Sequence, residues 1–165
     1  MAVNALPKLS LLSILRENAA LIIMYVLGTG LVAPLGWPFA LLYLGYAVLS
    51  NALYMAWVCP YCPHYPLGTC PAGFHILSGG KFKAKTGRKY SQEFKRNVAV
   101  LFPGWFVPPI LGSYWLLTGF SWGMAALLAA FCIVGFIILP ADSKRHCDPC
   151  ENMDCPRRKV KNTHQ

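Results

Sequence analysis

The chain contains four long apolar segments that carry no charged residue and no histidine. They run from Ala19 to Gly36, from Pro38 to Val58, from Val98 to Thr118 and from Ser121 to Pro140. A helix needs about 20 apolar residues to cross a hydrocarbon core about 30 Å thick. The pattern therefore predicts an all-α integral membrane protein, a single domain with four transmembrane helices. The first segment gives the weakest signal, because it is short and contains Gly28, Gly30 and Pro34.

Composition predicts the same class. Hydrophobic residues make up 56% of the chain and charged residues only 13%, whereas about 25% of the residues of a soluble domain are charged. A chain this poor in charge is not expected to fold as an ordinary soluble domain.

The distribution of charge predicts the orientation. All fifteen Lys and Arg lie in the N-terminal arm, in the loop 59–97 or in the tail 141–165. Cytoplasmic segments are enriched in Lys and Arg. We therefore expect a multi-pass protein of the inner (cytoplasmic) membrane, with both termini, the loop and the tail in the cytoplasm. The net charge of +9 favours membrane lipids or an acidic partner over nucleic acid, because no RNA-binding motif is present.

Six of the seven cysteines form two triplets, each of which follows an apolar segment. The triplets are Cys59, Cys62, Cys70 and Cys147, Cys150, Cys155. In a reducing cytosol, clustered cysteines bind metal more often than they form disulfides. Three thiolates are one fewer than a tetrahedral or cubane site needs, so a fourth ligand comes from the other triplet or from His64, His75 or His146. The spacing predicts a metal centre that the loop and the tail share.

An iron-sulfur cluster is the favoured cofactor, with zinc as the alternative. Four of the six cysteines precede a proline, as the last cysteine of bacterial ferredoxin motifs does. The tail pattern Cys-x2-Cys-x4-Cys-Pro, together with one remote cysteine, resembles the split cubane sites of some iron-sulfur proteins. The loop is similar to the cysteine- and proline-rich cytoplasmic segments of membrane-bound polyferredoxins. Both resemblances imply an iron-sulfur cluster.

A second interpretation concerns thiol-disulfide exchange. The sequence Cys59-Pro-Tyr-Cys62 is identical to the redox motif of glutaredoxins. That motif lies between a strand and the N-terminus of a helix, whereas here the pair follows a transmembrane segment. Membrane enzymes that form disulfides present their dithiols to the oxidising side, opposite to the orientation predicted here. The context therefore favours metal binding.

The apolar segments lack the residues that a transmembrane haem or a proton pathway requires. We therefore predict a small membrane subunit that relays electrons at the cytoplasmic face, between other membrane or peripheral redox subunits, and is not an enzyme by itself. The alternative is a structural or assembly subunit of a larger membrane complex, in which zinc joins the loop to the tail and has no redox activity.

Two further features leave alternatives open. Pro103, Pro108 and Pro109 predict a kink or break in the third segment, within a packed bundle or beside a quinone or lipid cavity near Trp105 and Trp115. The basic stretch from Gly79 to Arg96 either lies on lipid headgroups or docks a partner. Ser91 within it can cap a helix that runs into the third segment.

Overall fold

The computed structural model describes residues 11–62, 65, 83–85 and 89–142. Every regular element within these ranges is helical. The helices are α1 (Leu11–Glu17), α2 (Ala19–Val32), α3 (Trp37–Trp57), α4 (Tyr90–Asn97), α5 (Phe102–Thr118) and α6 (Trp122–Ile133). Short 3-10 turns occupy Ala33–Leu35, Cys59–Tyr61 and Val98–Leu101. A π-helical segment, Val134–Ile138, continues α6, and the chain stays helical to Asp142.

Three helical stretches are long and apolar enough to cross a membrane. They are Trp37–Tyr61, Tyr90–Thr118 and Trp122–Asp142. At most 22% of the residues in their most apolar windows are buried within the protein, and large side chains such as Leu42 and Leu117 are 70% and 87% exposed. A continuous apolar outer surface of this kind suits lipid rather than water. The architecture is that of an all-α, multi-pass membrane protein.

The first apolar segment forms a shorter helix than the other three. Ala19–Leu35 reaches about 25 Å at 1.5 Å per residue, which is less than a hydrocarbon core of about 30 Å. Helix α1 extends it, because Asn18 donates its backbone N–H to Ile14 and accepts from Ile22, both at 3.0 Å. The prediction of a fourth span stays a prediction.

Helix α2 lies at the centre of the bundle and contacts α3, α5 and α6. Its side chains Met24 and Leu31 are completely buried. Close approach depends on glycine: Gly30 lies against Leu127 of α6, and Leu31 lies against Gly112 of α5. Lipid tails are as apolar as leucine, so helices in a membrane associate mainly through such close packing.

Contacts between the helices define their directions. Asn51 of α3 donates a hydrogen bond to Tyr25 of α2, whereas Tyr43, earlier in α3, lies against Gly28, later in α2. In the same way, Met24 lies against Gly135, whereas the later Gly30 lies against the earlier Leu127. Helix α2 therefore runs antiparallel to both α3 and α6. The α2–α3 and α5–α6 turns line one common cavity, so they lie at the same end of the bundle. The ends of α3 and α6 consequently share the opposite end.

The prolines do not break α5, which is one α-helix from Phe102 to Thr118. Pro108 has no N–H, so the carbonyl of Gly104, four residues earlier, lacks its usual helical donor. The hydroxyl of Tyr43 donates to this carbonyl at 2.9 Å. The Tyr43 ring lies against Gly28, where a Cβ atom would overlap the ring. Helix α3 thus provides the missing donor, and Gly28 of α2 leaves space for its ring.

Candidate metal centre

Cys59 and Cys62 lie in one tight turn at the end of α3. The α-helix ends at Trp57, and Pro60 occupies the first turn of the 3-10 segment Cys59–Tyr61. Proline fits there because it has no N–H and its φ angle is fixed. Tyr61 donates its backbone N–H to Val58 at 3.2 Å, and Cys62 donates to Cys59 at 2.9 Å. The two sulfur-bearing residues are therefore held close together by local backbone bonds.

The turn is largely shielded from solvent. Val58 is fully buried and Cys59 is 8% exposed, while Cys62 is half-buried. The backbone N–H of Tyr65, which is also buried, donates to the Cys62 carbonyl at 3.0 Å. A thiolate pair with one buried and one more accessible member can bind a metal ion and still leave it reachable from outside.

The basic half of the loop contacts this turn directly. Lys85 donates its backbone N–H to the Pro60 carbonyl at 2.9 Å, and its Nζ atom lies 5.8 Å from the centre of the Tyr61 ring. Lys83 and Lys85 are both exposed. Their positive charge next to the cysteine turn favours a thiolate-ligated centre, which carries net negative charge.

Helix α4 packs against α3 near the same turn. The rings of Tyr54 and Phe94 meet edge to face, with 6.2 Å between their centres. Further along, the Tyr46 hydroxyl donates to the Val100 carbonyl at 2.6 Å. Glu93 is only 6% exposed. The loop therefore returns to the end of α3 before it enters α5.

The structure brings together two of the predicted ligands, Cys59 and Cys62. The other six lie outside the described residues: Cys70, Cys147, Cys150, Cys155, His64 and His75. Among the residues that the structure does describe, no group of three or more His, Cys, Asp or Glu side chains could hold a metal ion. The shared centre, and the structures of the loop and tail around it, stay predictions.

The donor chemistry of the turn fits a thiophilic metal. A Cys-x2-Cys pair on one turn is the arrangement that zinc and iron-sulfur sites use to provide two of their four ligands. The last described residue, Asp142, lies at the end of the helical stretch that closes the bundle on the same side as this turn. The first tail cysteine, Cys147, follows it by five positions.

Sequence reasoning missed the contacts of Lys85 and Glu93. No local pattern links Lys85 to Pro60, because the bond joins residues 25 positions apart. A signal for Glu93 was present, since it is spaced with Tyr90, Phe94 and Asn97 on one helical face. Its carboxylate accepts a hydrogen bond from Asn97 at 3.1 Å.

A small cavity lies at the other end of the bundle. Its volume is about 240 Å³, and its lining residues are Pro34, Trp115, Thr118, Gly119, Ser121 and Met124. Pockets for ligands of drug size occupy roughly 300–1,000 Å³. Trp105 does not line this cavity and packs against Phe136 with 6.1 Å between ring centres. A quinone or lipid site near the prolines stays a prediction.

Comparisons of the chain with profiles of known protein families, with curated proteins and with solved structures found no match. The interpretation of the site therefore depends on its own residues and their placement.

Proposed function

We propose that this chain is a four-span membrane subunit that carries one iron-sulfur cluster at the cytoplasmic face and relays electrons within a membrane redox complex. Both termini, the loop 59–97 and the tail 141–165 lie in the cytoplasm in this proposal. One observation carries it: Cys59 and Cys62 share a turn at the end of the bundle where the helix leading to the tail also ends.

The length of the tail supports a shared site. The five residues from Asp142 to Cys147 extend by at most about 17 Å, and the eight to Cys150 by about 27 Å. Packed helix axes lie about 8–10 Å apart. This length allows tail cysteines to reach the Cys59 turn even if one helix separates α6 from α3.

The proposed ligands are the six clustered cysteines, with His64 and His75 as further candidates. A cluster held by these thiolates would accept a single electron from a soluble reduced partner and pass it to a quinone or to a larger membrane protein. The apolar segments contain no histidine, acid or base, which supports transfer along the cytoplasmic face rather than across the membrane.

Purification without oxygen, followed by an absorption spectrum and a metal analysis, tests the cofactor. The proposal predicts a brown protein with iron, acid-labile sulfide and broad absorption at about 400 nm. Colourless protein with stoichiometric zinc would contradict the redox function. It would support the alternative in which zinc joins the loop to the tail of a structural subunit.

Cysteine variants test whether loop and tail share the site. Cys62→Ser and Cys155→Ser should each lose most of the bound metal, because each removes a ligand from the same centre. Cys132→Ser is the matched control, since Cys132 lies on α6 within the apolar stretch, and it should retain the metal. Full metal content in Cys155→Ser would exclude a shared centre.

A further inference from the structure

Helix α4 has two faces of different character. The inner face contains the buried Glu93 and Phe94, whose ring contacts Tyr54 of α3. The outer face exposes Gln92, Lys95 and Arg96, which are neighbours at helical spacing. The helix therefore turns its cations away from the bundle.

The exposed charge of this region is almost entirely positive. The loop 59–97 contains seven Lys and Arg but one acidic residue, Glu93. Glu93 is 6% exposed and accepts a hydrogen bond from Asn97, so its carboxylate lies inside the protein rather than on the surface. The exposed cations are Lys83, Lys85, Lys89, Lys95 and Arg96. Exposed cations beside a membrane helix attract anionic groups at the membrane surface.

The position of α4 directly before an apolar span favours lipid headgroups as the anionic partner. The helical stretch Tyr90–Thr118 has 29 residues and is about 44 Å long, which exceeds a hydrocarbon core of about 30 Å. Lys95 and Arg96 lie directly before the apolar part, which begins at Val98. Phe94 contacts Tyr54, about one turn before Trp57 on α3. Tyr and Trp are enriched at the membrane interface, and a basic stretch directly before an apolar span is expected at the level of the lipid headgroups.

We infer that the outer face of α4, together with the segment 83–85, binds the phosphates of anionic lipids in the adjacent leaflet. Lys and Arg side chains extend from an apolar span towards the headgroups that surround it, and anionic lipids attract basic segments beside a membrane helix. A soluble acidic protein would have to displace these headgroups to reach Lys95 and Arg96. The inference goes beyond the metal centre and does not depend on it.

The selectivity of the protein for anionic lipid tests this inference. Full-length protein is reconstituted in phosphatidylcholine vesicles with a trace of spin-labelled phosphatidylglycerol or spin-labelled phosphatidylcholine. Electron paramagnetic resonance then gives the fraction of each lipid that the protein immobilises. The wild type should select phosphatidylglycerol about three-fold, and the preference should decline in high salt because salt screens exposed charges.

The double variant Lys95→Gln/Arg96→Gln should lose about half of this preference. Two controls preserve the helix: Lys95→Arg/Arg96→Lys should retain the preference, and Gln92→Lys should increase it.

Unchanged immobilisation of phosphatidylcholine shows that the bundle is intact. Equal selectivity of the wild type and the Lys95→Gln/Arg96→Gln variant would overturn the inference. So would a wild type without selectivity, which would leave an acidic protein as the partner of this face. Metal content, measured in parallel, reports separately on the proposed function.

Discussion

Helices α2 and α6 differ in a way that hydropathy does not reveal. Helix α2 belongs to the shortest apolar stretch, yet it contacts α3, α5 and α6 at the centre of the bundle. The stretch Trp122–Asp142 has the most apolar window of the three spans, and only 11% of that window is buried in the protein. Hydropathy thus does not distinguish the central helix from a peripheral one, because all of these helices are apolar. Close packing depends on small and polar residues instead.

The largest expected effect is a difference in stability between two leucine variants, one in the central helix and one on the lipid-facing surface. Leu31 of α2 is fully buried, whereas Leu42 of α3 is 70% exposed. Leu31→Ala should lower the free energy of unfolding by about 3 kcal/mol, because it leaves a cavity among packed helices. Leu42→Ala should change it by less than about 0.5 kcal/mol, because lipid fills the space. Titration with SDS in mixed micelles measures both, and equal losses would contradict a central position for α2.

A second matched pair tests close approach at glycine. A Cβ atom at Gly28 would overlap the Tyr43 side chain, whereas one at Gly45 would meet nothing within 4 Å. Gly28→Ala should cost about 2 kcal/mol, because the Tyr43 ring must move away from its hydrogen bond. Gly45→Ala should be neutral or slightly stabilising. The same SDS titration measures the difference, and a neutral Gly28→Ala would show that α2 and α3 do not need this contact.

The smallest expected effect concerns the carbonyl that Pro108 leaves without a helical donor. Tyr43→Phe should cost about 1 kcal/mol, since the Gly104 carbonyl loses the hydroxyl that donates to it. Tyr114→Phe is the control, because Tyr114 is 54% exposed. In a Pro108→Ala background, the N–H of residue 108 can bond Gly104, so Tyr43→Phe should cost less.

A double-mutant cycle over Tyr43 and Pro108 quantifies this coupling. Identical costs of Tyr43→Phe in the two backgrounds would mean that the hydroxyl does not substitute for the missing N–H.

Much of the helix pattern was predictable from local sequence. The second apolar segment was expected from Pro38 to Val58, and α3 runs from Trp37 to Trp57. It begins after Gly36, whose φ of 116° suits glycine. It ends before Pro60, which cannot continue the α-helix. Such boundaries depend on neighbouring residues and need no tertiary contact.

The start of helix α4 was predictable from local sequence, whereas its packing was not. A helix capped by Ser91 was expected to run into the third apolar segment, and α4 begins at Tyr90, with Lys89 rather than Ser91 at the N-cap. Its residues are mostly polar and basic, so hydropathy gives no signal for their contacts. They are helical here with Phe94 packed on Tyr54 and Glu93 buried. The ring contact depends on the position of α3.

The candidate site likewise has one feature that was predictable from sequence and one that was not. The short spacing of Cys59 and Cys62 made their proximity predictable, because one turn joins them. The return of Lys85 to Pro60 was not predictable, because a bond across a long loop depends on how the whole loop folds.

The sequence alone determined which segments are apolar and long enough for a membrane, because transfer into lipid depends on the composition of each segment. It also determined that two cysteines lie on one turn. Only the tertiary structure decided that the helix of the shortest apolar stretch is central and that the ends of α3 and α6 share one side of the bundle. It also decided that Tyr43 donates to the Gly104 carbonyl. These features depend on close contact between small residues and polar groups far apart in the chain, which no single segment can specify.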